Sequence, residues 1–471
     1  MKIPFVGPSY VMDANSFGVQ RSINMFPILA EVEGTKSIKS LRGTPGLANF
    51  ATAGGGGIRN GITSTSTRCY VVSGEDFIEI HTNGTTTTHG QLNTQVNRVS
   101  ISENNSQQVI VVDGTDGWIF AQDTDTWTQI TDINFPAGAI VSYQDGYFLT
   151  FEDSTQKFYI SAIEDGFTWD ALDFTSVESS PDNLVSVISD NGNVWLFGNR
   201  SVEVYQNTGN AAFPFERIPG AIIQTGCANG FTVSKFDNSV CWLGTDEQGD
   251  AVVWLADGYQ ARRISTMAIE RRINEVTDFT DAFAWAYHEQ GHVFYCLQIK
   301  GLDTTLVFDG SVNQWHERSF KNTATNAMEL HKGSCHMFFD GKSLVGDRTT
   351  GEVYHMSLAY ESDDGDAQIR ERIIPTIQNE KEELNFASFE LDMQVGVGLT
   401  TGQGSDPQIM MQYSKDGGNT WSNELWRDIG KKGKYDTIVK WRQLGTGRNL
   451  TIRVVVSDPV FIEINEAFLN N

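Results

Sequence analysis

The sequence predicts an all-β fold, a β-propeller of about seven blades, irregular in places, followed by a C-terminal β-sandwich. Three observations carry this reading. The 471 residues include 45 glycines, only 11 prolines and 11% aromatics, a balance that suits many short strands joined by tight turns. Short apolar runs repeat along most of the chain at intervals of a few tens of residues. The last hundred residues alternate apolar and polar side chains over longer runs, as half-buried strands do. With 39% hydrophobic and 20% charged residues the chain is apolar enough to fold throughout. It also exceeds the roughly 250–300 residues over which one core grows, so it needs repeats or several domains.

Residues 1–60 are turn-rich and irregular, with a glycine run from Gly54 to Gly57. They are expected to lie across the propeller as an extended arm and to donate a closing strand. Residues 61–360 form the expected propeller. There a β-branched or aromatic run reaches a turn, often Asp-Gly, and a second run follows. Val111-Val112-Asp113-Gly114, Gln144-Asp145-Gly146-Tyr147, Ala256-Asp257-Gly258-Tyr259, Phe308-Asp309-Gly310 and Phe339-Asp340-Gly341 are examples. Asp-Gly between such runs signals a hairpin, because a type I′ turn needs positive φ at both central residues. Seven units fit the pattern, beginning near residues 61, 98, 138, 184, 233, 282 and 326. Each holds three or four strand-like runs, the content of a blade, at the period of about 40–50 residues that known propeller repeats show. One four-stranded sheet cannot bury both its faces alone, whereas a ring of them does.

One segment, 265–276, breaks the β pattern. Ile269, Ile273 and Val276 recur at helical spacing, and Ser265 or Thr266 is placed to cap the start, which predicts a short amphipathic helix between two blades. The polar run Glu361-Ser362-Asp363-Asp364-Gly365-Asp366 reads as a linker and sets the domain boundary. Beyond it, over 361–471, runs such as Phe389-Glu390-Leu391-Asp392-Met393 and Leu450-Thr451-Ile452-Arg453-Val454 predict the sandwich.

Charge and cysteine content narrow the function. A net charge of −25 argues against binding nucleic acid through a basic surface. No apolar run reaches the roughly 18–20 residues of a membrane helix, and Met1-Lys2-Ile3-Pro4-Phe5 lacks the apolar core of a signal peptide, so no membrane partner is expected. Cys69, Cys227, Cys241, Cys296 and Cys335 are odd in number and scattered, and read as reduced, buried thiols.

The sharpest local motif is Ser414-Lys415-Asp416-Gly417-Gly418-Asn419-Thr420-Trp421, an Asp-box-like turn in which Ser414 and Asp416 satisfy amides, Gly418 relaxes the backbone and Trp421 packs beneath. A sialidase would need several such boxes, an arginine cluster and a nucleophilic tyrosine, and a single box outside the propeller reads as structural. Glu164-Asp165 and Glu380, Glu382 and Glu383 read as turns and solvated faces rather than a catalytic pair. His331, Cys335 and His336 lack a fourth ligand at finger-like spacing, and 346–352 has Glu352 where a phosphate loop requires lysine, so no metal or cofactor is expected. Two basic groups remain. Lys431, Lys432 and Lys434, with Lys440 and Arg442, surround a glycine turn and read as a solvated hairpin or as a contact for phosphate or an acidic partner. Arg262, Arg263, Arg271 and Arg272 flank the predicted helix, as surface charges or as interface anchors.

Motifs along the whole chain also resemble a known family, the packaged-DNA stabilisation proteins, or tail hubs (nozzles), of short-tailed phages of the Salmonella podovirus type. Arg21-Ser22-Ile23-Asn24-Met25 followed by Leu41-Arg42-Gly43-Thr44-Pro45-Gly46-Leu47 is similar to its N-terminal pattern. Val252-Val253-Trp254-Leu255 through Ser265-Thr266-Met267-Ala268-Ile269-Glu270 resembles its strand-then-helix segment, and Lys440-Trp441-Arg442-Gln443-Leu444-Gly445 its last domain. The resemblance implies a non-catalytic virion tail protein made in the host bacterial cytoplasm. It implies a homohexameric ring beneath the portal and head-to-tail adaptor, retaining packaged double-stranded DNA. It implies a tail needle or plug and tailspikes or fibres as further partners. An acidic wall suits a conduit, since like charge within a Debye length of about 8 Å repels phosphate without sequence-specific binding. The competing readings are a carbohydrate-active propeller, either a sialidase-like hydrolase or a glycan-binding tail protein, and a host propeller scaffold.

Overall fold

The computed structural model describes residues 1–470 apart from 13, 15–17, 31–36, 178–181, 247 and 381. Among the described residues 54% lie in strands and 2% in helix. Seven antiparallel four-stranded units follow one another as blades, with innermost strands Ile58–Thr63, Ser100–Glu103, Ser142–Gln144, Leu184–Asp190, Ser234–Phe236, Phe283–Glu289 and Gly333–Phe339. These starts lie close to the seven read from the repeat. The innermost strands of neighbouring blades contact one another around a closed ring, with the 3-10 turn Gly230–Thr232 bridging the fourth and fifth.

Strand alternation explains how the ring holds together. In the second blade Val109 and Val111 face the first blade while Ile110 and Val112 face the third, so this inner strand buries both its faces. Among the described residues there is accordingly one apolar cluster for each of the seven seams between blades and an eighth inside the sandwich. The helix Met267–Ile273 forms where predicted, capped by Thr266, and seats Ile269 and Ile273 in the seam between blades five and six. Of the five Asp-Gly hairpins, Asp145-Gly146 and Asp340-Gly341 have both φ values positive in two-residue turns. The other three differ. Asp113 instead accepts from the amides of Thr115 and Asp116 in a wider turn, Gly258-Tyr259 makes the turn after Asp257, and Gly310 opens a four-residue loop.

The N-terminal residues do more than cross the propeller. Gly46–Thr52 supplies the fourth strand of blade seven, pairing with Glu352–Ser357 and closing the ring. Upstream strands instead build the sandwich. One of its sheets runs Met25–Leu29, Lys39–Gly43, Glu463–Asn470, Leu384–Met393, Val439–Gly447, with Lys2–Ile3 also on Glu463–Asn470. The other runs Val19–Ile23, Arg370–Ile373, Asn449–Val456, Gln408–Ser414, Leu425–Asp428. Val19–Ile23 also touches the outer strand of blade six, Gln314–Lys321, making one continuous sheet from propeller to sandwich. Without its first 43 residues the sandwich would expose the core around Leu41, Trp441 and Phe389, all fully buried, with the last two rings stacked at 5.5 Å.

Two buried arginines fasten this arrangement. Arg372 donates from Nε to the Phe5 carbonyl at 2.7 Å and from Nη1 to the carbonyls of Pro8 and Arg21, and burial pushes its guanidinium down to about 9. Arg370 donates to Glu361 at 2.5 Å and to the carbonyls of Asp458 and Val460. The run Glu361 to Asp366 is therefore no solvated linker. The Leu47 amide donates to the Ser362 carbonyl and the Asp364 amide to the Leu47 carbonyl, and Asp363 is buried.

Candidate functional site

The Asp-box-like turn joins Gln408–Ser414 to Leu425–Asp428. Ser414 Oγ donates to Asp416 Oδ1 at 2.6 Å and accepts from the Gly418 amide at 2.8 Å. Asp416 also accepts from the amides of Asn419 and Thr420 and from Thr420 Oγ1. These donors, led by the Ser414 and Thr420 hydroxyls, hold its carboxyl well below the usual range. Gly418 has φ 97°, and a Cβ there would meet Val19 at 2.9 Å and Trp421 at 3.7 Å. The motif thus fixes a turn against the N-terminal strand Val19–Ile23. Asp416→Ala is expected to raise amide hydrogen exchange at Asn419 and Thr420 about tenfold, with little change elsewhere in the sandwich. An unchanged exchange profile would contradict this role.

The carboxylates singled out from sequence are tied into turns. Glu164 accepts from the Tyr143 hydroxyl at 2.6 Å and from Asn105, and Asp165 from the Phe167 amide and Thr168. Glu380, Glu382 and Glu383 are exposed. His331 and His336 are enclosed, and burial pushes their imidazoles down to about 3 and about 4, so both stay neutral. Among the described residues no three His, Cys, Asp or Glu side chains converge as metal ligands.

The helix-flanking arginines separate into two kinds. Arg263 pairs with Glu270, and Arg272 with Glu275 and Asp303, within the chain. Arg271 lies 3.8 Å from Glu275. Arg262 is exposed on the outer strand Gln260–Arg263 of blade five. Lys431, Lys432 and Lys434 occupy not a hairpin but an exposed loop that crosses from Leu425–Asp428 in one sandwich sheet to Val439–Gly447 in the other, where Lys431 reaches Asp406 at 3.2 Å and Lys432 reaches Thr400. Beside them Tyr435 and Ile438 are 71% and 70% exposed. The alternation of a strand cannot predict that, because the loop lies beyond the strand ends.

No sequence pattern marks Arg98, which stands on the propeller axis. A cavity of about 530 Å³ is lined by the innermost strands of all seven blades, and a second of about 740 Å³ opens at one end. Arg98 lines both. Its guanidinium lies 4.0 Å from the Phe283 ring centroid and donates to the Ser334 carbonyl at 2.9 Å, and burial pushes it down to about 10. The aromatic face in place of a carboxylate holds the charge.

Comparison with known proteins matches both halves of this architecture in order. Residues 1–361 match the family described as Bacteriophage P22 Gp10, beta-propeller, and residues 369–470 the one described as Bacteriophage P22 Gp10, beta-sandwich. The chain belongs to the P22 Gp10 family. A curated relative in that family is the tail hub protein gp10 of Salmonella phage P22, 21% identical over 383 residues that cover 77% of this chain and 78% of the relative. Solved structures with a similar course include virginiamycin B lyase from Staphylococcus aureus, at 10% identity, 64% of this chain, 95% of that one and a TM-score of 0.43. YCF48 bound to a D1 peptide is another, at 14% identity, 66% and 95% coverage and a TM-score of 0.42. Neither score reaches 0.5, and the Gp10 match is what separates this propeller from others.

Proposed function

We propose that this protein is a structural, non-catalytic tail hub of a short-tailed phage. Copies would form a ring, of six subunits by the resemblance, below the portal and head-to-tail adaptor. The ring would retain packaged DNA, form its exit channel and carry a needle or plug with tailspikes or fibres. The observation that carries the reading is the match to Gp10 across propeller and sandwich, in order and over nearly the whole chain. Two physical features support it. Sheet hydrogen bonding runs unbroken from blade six into the sandwich, so the subunit behaves as one stiff block. A net charge of −25 also keeps a duplex from adhering to the wall it passes.

Native mass measurement tests this, with and without a portal–adaptor assembly. The expected result is a discrete ring on the adaptor that electron microscopy also finds in the virion tail. A chain that stays monomeric beside the adaptor and is missing from particles would refute it. Glycan turnover lost on changing one carboxylate would move the reading to the carbohydrate-active alternative.

A further inference from the structure

The sandwich is attached where blades six and seven meet, through Val19–Ile23 against Gln314–Lys321 and through residues 360–364 against Gly46–Thr52. In a ring of seven, blade three lies opposite that seam. Within the sandwich, Leu425–Asp428 is the edge strand farthest from blade six, and Val439–Gly447 is the far edge of the other sheet. The loop that crosses between them is thus the tip of the molecule, at the end away from blade three.

The two ends differ in charge and share an apolar character. Residues 427–448 carry seven basic and two acidic side chains, whereas residues 116–176, spanning blades two and three, carry eleven acidic and one basic. At the basic tip Tyr435 and Ile438 stand exposed. At the acidic rim Ile133 is 96% and Leu172 80% exposed. The Ile133 loop is fixed to the strand bearing Leu172, since Asn134 donates to the Trp169 carbonyl at 3.1 Å and the Trp169 amide to Asp132 at 3.0 Å. Asp170 is exposed next to Leu172 and accepts its amide.

We propose that the Lys431–Ile438 tip of one copy docks on the blade-three rim of the next, with Tyr435 and Ile438 against Ile133 and Leu172 and the lysines facing Asp170 and its acidic neighbours. The inference rests on the hub reading and names the contact that reading leaves open. A second copy is the occupant that the charges favour, because each chain carries both complementary surfaces while two rims or two tips repel. Different patches at opposite ends make a head-to-tail contact, the kind that closes into a ring.

Separately made Ile133→Cys and Tyr435→Cys chains, mixed, assembled on the adaptor and mildly oxidised, test the contact. The five native thiols are buried and stay out of the reaction. A disulfide-linked dimer forming only in the mixture is the expected result. Reversing the tip with Lys431→Glu, Lys432→Glu and Lys434→Glu is expected to lower ring yield at least tenfold. Adding Asp170→Lys and Asp173→Lys to the same chain is expected to restore most of it. Rings at normal yield from the reversed tip, or wild-type-like rings without the mixed dimer, would overturn the contact and leave the hub reading intact. Failure of the unaltered chain to form any ring with the adaptor would overturn both.

Discussion

Deleting residues 1–52 is expected to abolish cooperative unfolding in both halves of the protein. The deleted stretch contributes Ile3, Phe5, Val19, Ile23, Met25, Phe26, Leu41 and Leu47, all buried. At ~1.5–3 kcal/mol for each large apolar side chain, their burial equals or exceeds most of the 5–15 kcal/mol range by which a typical domain is stable. The geometry makes the loss worse than the area. Blade seven drops to three strands and the ring opens, while the sandwich loses strands from both sheets. Arg372 is left without the carbonyls of Phe5, Pro8 and Arg21. Urea titration followed by tryptophan fluorescence and circular dichroism checks it. A truncated chain that still unfolds in one sharp transition near the full-length midpoint would show that these strands merely decorate a self-sufficient fold.

The second large effect concerns pH. Burial pushes the Asp363 carboxyl up to about 7, with Asp366 adding to it and Lys332, Arg370 and Gln368 opposing. A folded-state value above the unfolded one means that the native chain binds more protons between about pH 4 and pH 7. The contribution of Asp363 to stability therefore falls as pH rises through that window and levels off above it, opposite in sign to that of carboxyls held low, such as Asp416. Asp363→Asn, which keeps the shape and discards the charge, is expected to flatten the dependence. It should exceed the parent in stability by up to ~4 kcal/mol at pH 8 while matching it near pH 4. A stability difference that stays constant from pH 4.5 to pH 8 would mean that Asp363 is ionised throughout. Glu361 acts in the same direction, since burial raises it against the pull of Arg370.

The seven blades were readable because each repeats a local rule, two-residue alternation closed by tight turns, within some 40–50 residues. The helix at Met267–Ile273 was readable for the same reason, with cap and apolar spacing inside one short window. What escaped is long-range. Nothing local distinguishes Lys39–Gly43 as a neighbour of Glu463–Asn470, and that pairing turns an expected arm into sandwich strands. The polar run at 361–366 misled because its carboxylates look solvated until Arg370 and Gly46–Leu47 are brought against it. Among the site residues, Ser414 and Asp416 behave as their spacing indicates. Arg98 lacked any local sign, since its setting is made by the innermost strands of separate blades.

The pairing of the two ends of the chain has a consequence for biosynthesis. Lys2–Ile3 binds Glu463–Asn470, and the Met1 ammonium donates to the Leu469 carbonyl at 2.6 Å. Lys2–Ile3 is thus synthesised long before its partner strand and waits for it before the sandwich can be completed. A chain that stops before Glu463 cannot finish that sheet, which keeps such products from acquiring the folded subunit's shape.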